Sequence, residues 1–444
     1  MLSTPEKIRT LQRKLYIKAK QEPGFRFYAL YDKLMRADIL SHAYKLVRAN
    51  KGAPGIDGKT FGAIEAQEGK EQFLARLRQE LACKAYRADA VRRVWIPKPD
   101  GSKRPLGIPT IRDRVVQTAA KIVIEPIFEA DFCEHSYGFR PKRSAHDAVD
   151  AVAGALLKGQ DHVIDADLSK YFDTIPHAKL MAAVAERISD GAVLGLIKQW
   201  LKAAVVDEDE DGVRRNNGGG KGSRRGTPQG GVISPLLANR YLHLLDRIWE
   251  RHRLEERYSA RMVRYADDLV ICCSKGTEAP MQVLRYVLER LDLSLNESKT
   301  RVVDAREESF DFLGFCFHRR RSHKSNKLYP HVEPSKRSIQ RIKDRTKQLT
   351  DRRCTPIPLS VMIEELNRTL RGWSSYFHYR NCTGVFSKVK MHVEERLRTQ
   401  LRRRYKLTSR AQAYQRFPGQ VIYGRYGLFK LPTTAPWQKA NALV

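Results

Sequence analysis

Residues 261–274 have the sequence Arg-Met-Val-Arg-Tyr-Ala-Asp-Asp-Leu-Val-Ile-Cys-Cys-Ser, and this stretch decides the fold class. Aliphatic residues lie on both sides of the acidic pair Asp267-Asp268, which predicts two apolar strands joined by an acidic turn. Carboxylates enclosed by aliphatic neighbours are partly buried, and an uncompensated buried anion is costly. The stretch therefore predicts that cations accompany Asp267 and Asp268.

A further acidic position follows another short apolar strand. Residues 161–168 have the sequence Asp-His-Val-Ile-Asp-Ala-Asp-Leu, which places Asp167 near the strand end. Oxygen ligands with few other protein groups suit Mg²⁺. Two ions held by shared carboxylates can clamp the attacking and leaving oxygens of a phosphoryl displacement. A lone aspartate more often caps a turn, so this interpretation depends on Asp167 and the pair Asp267-Asp268 together.

The composition is that of a globular and strongly basic chain. Of 444 residues, 42% are hydrophobic and 30% are charged, and the net charge is +32. Residues 319–444 contain 29 basic and 7 acidic residues, which is +22 of that excess. Such a charge indicates a polyanionic partner, because neutralised phosphates release their counterions. For any single Lys or Arg, a solvated basic face is the alternative.

Other bulk features exclude several classes of protein. No run of about 18 apolar residues is present, so we expect no membrane span. The N-terminus has no apolar signal segment, which favours a cytoplasmic protein. The seven cysteines are scattered and lack the spacing of zinc ligands, which indicates reduced thiols.

Interleaved strand and helix patterns predict an α+β domain, and helical patterns after about residue 334 predict an α-helical domain, with the boundary between 319 and 335. Residues 91–110 predict a hairpin with its turn at Asp100-Gly101. The acidic run 207–211 and the glycines after it predict an exposed loop. Helices are expected at 113–130, 145–157, 177–187, 192–204, 232–251 and 280–291.

Three segments resemble motifs of reverse transcriptases. Residues 167–173 (Asp-Leu-Ser-Lys-Tyr-Phe-Asp) resemble motif A, and residues 264–270, with Tyr-Ala-Asp-Asp, resemble motif C. Between them, residues 226–239 (Gly-Thr-Pro-Gln-Gly-Gly-Val-Ile-Ser-Pro-Leu-Leu-Ala-Asn) resemble motif B. The Tyr-x-Asp-Asp match alone is a weak signal, whereas the three motifs in this order and at these separations are a strong one.

Further segments resemble the reverse transcriptase/maturase family encoded by group II introns. They are residues 52–58, 96–109 and 136–141, together with 293–300, which is similar to motif D, and 312–315, which is similar to the primer-grip segment. Residues 366–377 (Leu-Asn-Arg-Thr-Leu-Arg-Gly-Trp-Ser-Ser-Tyr-Phe) resemble the signature of the maturase region, domain X. The resemblance covers most of the chain, from residue 25 to residue 400.

The resemblance implies a right-hand polymerase. We expect an N-terminal helical extension and the start of the fingers in residues 1–90. The fingers and palm are expected in residues 91–318. A basic α-helical thumb and maturase domain with a short tail is expected in residues 319–444.

The resemblance also implies the roles of the acidic residues. Asp167, Asp267 and Asp268 are expected to be catalytic and to hold two Mg²⁺ ions, for which Mn²⁺ can substitute. The carbonyl of Leu168 is expected to be a backbone ligand. Asp268, adjacent to the main ligands, is expected to support the site electrostatically.

Five residues are expected to contact the incoming nucleotide. Fixed cations near a triphosphate stabilise developing charge, and Phe172 is placed like the steric gate that selects dNTPs. Core packing is the alternative for Phe172, and a solvated side chain is the alternative for the motif D lysine, a candidate proton donor. The five residues are Lys98, Arg104, Phe172, Gln229 and Lys299.

The basic C-terminal part is expected to bind RNA. Aromatic residues among the basic ones could stack on unpaired bases, although packing in the core of the domain is the alternative for Trp373, Tyr376, Phe377 and Tyr379. The expected RNA-binding residues are Arg368, Arg371, Arg402, Arg403, Arg404 and Lys406.

The resemblance implies RNA-directed DNA synthesis, together with binding of the group II intron RNA to assist splicing and intron mobility by target-primed reverse transcription. The expected partners are the intron RNA and RNA template, a DNA primer or target, and dNTPs. Because no cluster of metal-binding His and Cys residues follows domain X, the chain resembles the bacterial type without an endonuclease, expected in the cytoplasm at the nucleoid. The alternatives are a domesticated reverse transcriptase in DNA repair or phage defence, a diversity-generating or retron-type enzyme, and an RNA-binding splicing factor without a polymerase role.

Overall fold

A computed structural model describes residues 3–97, 101, 103–208, 214–216, 218–220, 222–323 and 325–435. The elements up to residue 304 are α1 (Glu6–Gln21), α2 (Tyr31–Leu34), α3 (Ala37–Ala49), α4 (Phe61–Gln67), α5 (Gly69–Ala82), β1 (Val91–Pro97), β2 (Lys103–Ile108), α6 (Ile111–Glu129), α7 (Ala145–Leu157), β3 (His162–Asp167), α8 (Tyr171–Thr174), α9 (His177–Ala185), α10 (Gly191–Leu201), β4 (Val205–Glu208), β5 (Arg214–Asn216), α11 (Ser234–Arg251), α12 (Leu254–Tyr258), β6 (Ala260–Tyr265), β7 (Asp268–Cys273), α13 (Glu278–Arg290) and β8 (Arg301–Asp304). They are followed by β9 (Phe310–Phe312), β10 (Phe315–Arg321), β11 (Leu328–Pro334), α14 (Lys336–Leu349), α15 (Leu359–Phe377), α16 (Thr383–Arg404) and α17 (Arg410–Arg416), with a 3₁₀ turn at Arg352–Cys354 and a π-helical turn at Val421–Arg425.

The apolar strands around the acidic residues form one four-stranded sheet in the order β6-β7-β3-β8. Five consecutive residues of β7 are buried, as expected for a strand whose two faces are both covered. Because β3 is the neighbour of β7, the end of β3 at Asp167 and the start of β7 at Asp268 belong to adjacent strands. This strand order is what relates motif A to motif C.

The predicted hairpin of residues 91–110 is confirmed by the antiparallel pairing of β1 with β2, from Arg92 opposite Ile108 to Pro97 opposite Lys103. The exposed loop was predicted at the glycines that follow the acidic run, and Gly218 and Gly219 are indeed exposed and lie outside the strands. Strand β4 pairs in parallel with β1, and β5 pairs with β4, which gives a second sheet in the order β2-β1-β4-β5. Backbone pairing with β1 thus places Asp207 in a strand in spite of its acidic neighbours.

The C-terminal part begins with a sheet and continues with helices. Strand β11 pairs antiparallel with β10 from Leu328 to Pro334, so a strand lies in the stretch where the domain boundary was placed. After it, α14, α15 and α16 bury apolar residues in one cluster that includes Leu366, Phe386 and Leu397. The predicted order, an α+β part followed by a helical part, is confirmed.

The described residues fall into two compact units. One unit is formed within 1–148, 166–271 and 278–301, and the other within 149–165, 272–277 and 302–444. Strands β3, β7 and β8 contribute residues to both. None of the helices in the described ranges combines the length and the apolar character needed to cross a membrane.

Candidate active site

The acidic turn between β6 and β7 has a backbone conformation that is rare for a residue with a side chain. Ala266 has a φ of +59°, in the left-handed region that costs an L-residue roughly 1–2 kcal/mol. The Arg264 guanidinium donates a hydrogen bond to the Ala266 carbonyl at 3.0 Å. The backbone of Gly138 lies so close that a Cβ at this position would be 2.3 Å from the Ala266 nitrogen. The shape of the turn therefore depends on a glycine that is far from it in sequence.

A buried ion pair, Arg264–Asp246, contacts the turn through the Arg264 guanidinium. The Arg264 Nε donates to Asp246 Oδ1 at 2.8 Å, and its two terminal nitrogens donate to Asn239 Oδ1 at 3.1 Å and to Ser136 Oγ at 2.6 Å. Burial alone would raise the pKa of Asp246, but the Arg264 guanidinium outweighs burial and holds the pKa well below its usual range. The pair is thus fully charged and hydrogen-bonded, the condition under which a buried ion pair is tolerated.

Sequence reasoning assigned no role to Arg264, Asp246, Asn239 or Ser136. The one local signal was the position of Arg264, a charged residue directly after the buried apolar residues Met262 and Val263 of β6. A buried Arg needs a partner, but nothing in the local pattern indicated that Asp246 of α11 supplies it. These residues act on the turn and are not placed at the carboxylates themselves.

The structure brings Asp167 and Asp267 into electrostatic contact. Burial raises the pKa of the Asp267 carboxyl, the negative charge of Asp167 raises it further, and the positive charge of Arg104 opposes both. A raised pKa means that the ionised form is under-compensated by the protein alone. Asp268, the next residue, is exposed.

These residues fit divalent metal ions with oxygen ligands. Among the described residues, no group of three or more His, Cys, Asp or Glu side chains is arranged so that it could hold a metal ion by itself. Asp167, Asp267 and Asp268 do not form such a group either. Mg²⁺ is usually bound through one or two carboxylates together with substrate phosphates and water rather than by a complete protein cage. The donor set fits that pattern, because Asp167 and Asp267 are two coupled carboxylates of which one is under-compensated.

The first residues of motif A are held by the segment that resembles motif D. The Asn296 amide donates to the Asp167 carbonyl at 2.7 Å, and the buried Leu168 forms an antiparallel bridge with Leu295. Lys299 Nζ lies 3.4 Å from Asp167 Oδ2. The structure thus places Lys299 beside the predicted metal ligands. The two side chains are 63% and 36% exposed, so this ion pair contributes little to stability.

The predicted nucleotide contacts Arg104 and Gln229 meet each other. Arg104 Nε donates to Gln229 Oε1 at 3.0 Å, and the Gly107 amide donates to the Gln229 carbonyl at 2.5 Å. Gln229 also lines a cavity of about 140 Å³ together with Arg93. Motif B is therefore bonded to β2, and Arg104 lies close enough to lower the pKa of Asp267. Lys98 lies outside the described residues.

Phe172 lies in α8, five residues after Asp167, and is 8% exposed. Its ring packs edge-on against Tyr171, with the ring centroids 5.5 Å apart. Its carbonyl accepts a hydrogen bond from the Thr227 amide of motif B at 2.7 Å. The ring is largely buried, as the packing alternative requires, and its role as a steric gate stays a prediction.

Comparison with known protein families agrees with this arrangement. The family "Reverse transcriptase (RNA-dependent DNA polymerase)" matches residues 96–317, which include every acidic residue discussed above. The family "Group II intron, maturase-specific domain" matches residues 339–417. The chain belongs to the group II intron type of reverse transcriptase/maturase. This family confirms the predicted fold class, an α+β polymerase followed by a helical domain, and makes the chain an RNA-directed DNA polymerase with a maturase domain.

Three relatives of this reverse transcriptase/maturase show the extent of the similarity, and two of them are named for introns. Protein YkfC of Escherichia coli is 37% identical over 353 residues, which are 71% of this chain and 89% of that protein. The group II intron-encoded protein LtrA of Lactococcus lactis is 30% identical over 67% of this chain and 57% of its own length. The putative COX1/OXI3 intron 1 protein of Saccharomyces cerevisiae is 27% identical over 64% of this chain and 38% of its own length.

Within the maturase domain, the predicted RNA-binding residues differ in their surroundings. Arg403 and Lys406 are exposed and Arg402 is half-buried. Arg404, in contrast, donates to the carbonyls of Cys354 at 3.1 Å and Ile357 at 2.6 Å. It therefore fixes the loop before α15, and its role in RNA binding stays a prediction.

The other two predicted RNA-binding arginines lie on α15 of the reverse transcriptase/maturase. Arg368 is exposed and pairs with Glu365 at 3.0 Å. Arg371 is also exposed, and its guanidinium lies over the Phe429 ring at 5.6 Å. An exposed ion pair such as Arg368–Glu365 contributes little to stability.

The aromatic residues in and directly after the domain X signature are half-buried and have two kinds of contact. Trp373 lies 4.7 Å from Phe386 and 5.2 Å from Phe377, measured between ring centroids. The Tyr376 hydroxyl donates to the Leu313 carbonyl at 2.9 Å, and the Tyr379 hydroxyl donates to Asp150 at 2.6 Å. Trp373 and Phe377 thus pack against the core of the helical domain, as one of the two interpretations of the sequence requires, whereas Tyr376 and Tyr379 are anchored through their hydroxyl groups.

Proposed function

We propose that this reverse transcriptase extends a DNA primer on an RNA template by a two-metal reaction centred on Asp167 and Asp267. The supporting observation is the coupling between the two carboxylates. Burial and the Asp167 charge together raise the pKa of Asp267, although β3 and β7 bring these acids from positions a hundred residues apart. A partly buried carboxylate that lies near a second carboxylate is a site suited to cations.

In this proposal Asp167, Asp267 and the Leu168 carbonyl hold two Mg²⁺ ions, with Mn²⁺ as a substitute. When bound, the ions supply charge stabilisation for the attacking 3′-oxygen and the leaving oxygen. Asp268 contributes negative charge next to Asp267. The Arg264–Asp246 pair and Gly138 keep the turn in the one conformation that presents Asp267.

The nucleotide contacts follow from the hairpin and from motifs A, B and D. Arg104 donates a hydrogen bond to Gln229 at 3.0 Å, so its guanidinium is oriented before a dNTP binds. It can then donate hydrogen bonds to the triphosphate. We assign Lys98 to the same triphosphate. Lys299, 3.4 Å from Asp167, is in position to donate a proton to the leaving pyrophosphate. Phe172 restricts the sugar pocket to dNTPs.

The second part of the proposal concerns the chain as a maturase. Residues 339–417 match the maturase-specific domain and lie in the stretch that carries +22 of the net charge. We propose that this domain binds the group II intron RNA, stabilises its folded form for splicing, and retains it for target-primed DNA synthesis. The division of the chain at residues 90 and 318 into extension, fingers with palm, and thumb with maturase domain is part of this proposal.

The decisive experiment is primer extension with the purified chain and Mg²⁺ on RNA templates. The parent protein should extend a DNA primer with dNTPs, and the double variant Asp267→Ala, Asp268→Ala should lose at least about a thousandfold in rate, as expected when charge stabilisation of the transition state is removed. A matched control is Glu307→Ala, Glu308→Ala, which removes two adjacent exposed acids and changes the net charge equally. Extension by the aspartate variant at the parent rate would refute the assignment.

The same aspartate variant separates polymerase from maturase function. If the basic domain acts on the intron RNA by binding, the variant should bind that RNA and assist its splicing as well as the parent does. Loss of splicing assistance in the aspartate variant, with RNA binding intact, would contradict a purely binding role for the maturase domain.

A further inference from the structure

One large apolar side chain near the active-site turn is half exposed and has no role in the proposed reaction. Phe139 is 48% exposed, whereas its neighbours Tyr137 and Arg140 are buried. Its φ is +55°, in the left-handed region where a bulky residue is a genuine outlier. Both its exposure and its backbone conformation cost free energy, and strain of this kind concentrates at functional sites.

The conformation of Phe139 is imposed by its neighbours. The Arg140 guanidinium donates to Glu129 at 2.7 Å and to the carbonyls of Cys133 and Ser136, both at 2.6 Å. On the other side, the Tyr137 amide donates to the Arg264 carbonyl at 2.8 Å. The segment is therefore fixed at both ends, and the exposed ring is held in place rather than left on a loose loop.

The position of Phe139 relates it to the catalytic turn. Gly138 packs against the turn so closely that its Cβ position would be 2.3 Å from the Ala266 nitrogen and 2.9 Å from the Tyr265 carbonyl carbon. Phe139 follows immediately, with its Cα about 3.8 Å from that of Gly138. Phe139 therefore belongs to the segment that packs against the turn carrying Asp267.

The charges around the ring indicate the chemistry of the partner. Lys142 is exposed three residues later, and Arg143 lies over the Tyr137 ring at 5.5 Å. An exposed aromatic ring with basic neighbours is typical of surfaces that contact bases and sugars while cations meet the phosphates. The minor groove of an A-form helix is wide and shallow, so a side chain can lie along its sugar edges.

We infer that Phe139 packs against the sugar edges of the primer–template duplex at its last base pairs and holds the primer 3′ end at Asp267. This inference rests on the proposed polymerase function. The contact is independent of sequence, because every base pair presents a sugar edge. Phe139 is thus a primer-positioning contact, and it differs from the nucleotide contacts Arg104 and Gln229 in acting on the duplex.

The backbone conformation of Phe139 allows a test that separates the ring from the fold. Phe139→Gly removes the ring and also the strain, because glycine adopts positive φ freely. Phe139→Ala removes the ring and keeps the strain. The glycine variant should therefore melt at the same temperature as the parent or higher. Tyr286→Ala, which truncates another aromatic residue with 62% exposure, is the matched control.

Both Phe139 variants should raise the Kd for a primer–template hybrid about tenfold, within the range expected for loss of one aromatic contact to nucleic acid. They should also lower kcat/KM for extension more strongly on primers with a mismatched 3′ end, and leave intron RNA binding unchanged. Parent-like Kd and kcat/KM in Phe139→Gly would overturn the inference, whereas absence of extension by the parent protein would refute the proposed function itself.

Discussion

Asp267 is a carboxylate that the fold holds at a free-energy cost. Burial raises its pKa and Asp167 raises it further, so the folded state binds the proton more tightly than the unfolded state does. Above its raised folded pKa, ionised Asp267 therefore lowers the free energy of unfolding, and this penalty disappears as the pH falls and the carboxyl is protonated. At neutral pH Asp267 is ionised and this free-energy cost is present, and a bound cation would offset it.

Asp267→Asn should therefore leave the Tm at neutral pH unchanged or raise it in the absence of divalent metal. Added Mg²⁺ should raise the Tm of the parent, because an ion that binds the folded state stabilises it, and should have a smaller effect on the variant. Thermal melts across a Mg²⁺ titration measure both effects. Asp32→Asn, at an exposed surface pair, is the control. An identical Mg²⁺ response in Asp267→Asn and the parent would contradict the assignment of Asp267 as a ligand.

Gly138 is the second position where a single residue decides the site. A Cβ there would meet backbone atoms of the turn at 2.3 Å and 2.9 Å, and backbone cannot move aside as a side chain can. Gly138→Ala should cost about 1–3 kcal/mol of stability, as overpacking does, and should lower kcat at least about tenfold by displacing Asp267. Gly154→Ala in α7, where the new Cβ would meet nothing within 4 Å, should instead gain about 0.5–1 kcal/mol. Equal effects of the two changes would show that the close approach at Gly138 does not matter.

At the scale of elements, β6 is tied to α11 and to the segment before Gly138 through one arginine. Arg264 reaches Asp246 and Asn239 on α11 and also Ser136. A strand that ends in a strained turn would otherwise relax into a commoner turn type. The buried Arg264–Asp246 pair opposes this relaxation of the turn, since breaking such a pair costs about 3–5 kcal/mol.

The C-terminal end of α16 contains residues of two kinds. Arg403 and Lys406 are exposed, whereas Arg404 donates to two loop carbonyls. The double variant Arg403→Ala, Lys406→Ala should keep the parent Tm and reduce the salt slope of RNA binding by about two, one for each phosphate contact. Arg404→Ala should lower the Tm, because two carbonyls lose their donor. Melting curves and binding titrations at several salt concentrations distinguish the two kinds; a parent-like slope in the double variant would remove these residues from the RNA interface.

At the scale of the whole molecule, the net charge of +32 governs association with RNA. A protein that neutralises six to ten phosphates loses about 10³–10⁵ in affinity between 50 and 200 mM salt. We expect a loss of that size for the structured intron RNA, measured by filter binding or fluorescence anisotropy. The slope should be the same for the variant Asp267→Ala, Asp268→Ala, since the role proposed for the aspartates is to hold metal ions and not RNA. A change in affinity below tenfold over this range would mean that phosphate contacts do not dominate binding.

Local pattern was sufficient for much of this protein. Apolar runs interrupted by acids predicted β3, β6 and β7 and the turn between the last two. The order of motifs A, B and C predicted the family, and the uneven charge predicted a nucleic-acid partner. Helix α7 was predicted with its observed bounds, Ala145–Leu157. These features depend on neighbouring residues or on composition, so they can be predicted without knowledge of contacts between distant residues.

Tertiary structure alone decided how the site is held. Arg264 and Ser136 are 128 positions apart, and Gly138 meets Ala266 across a similar distance, so no local periodicity could relate them. The same holds for β4 pairing with β1, for Arg404 binding loop carbonyls, and for Trp373 and Phe377 packing against the core of the helical domain. In each case the free energy comes from burial and hydrogen bonds between residues that only the folded chain brings together. The sequence by itself thus determined which chemical groups this protein has and in what order, while the tertiary structure decided which of them lie together at the acidic turn and which support the others.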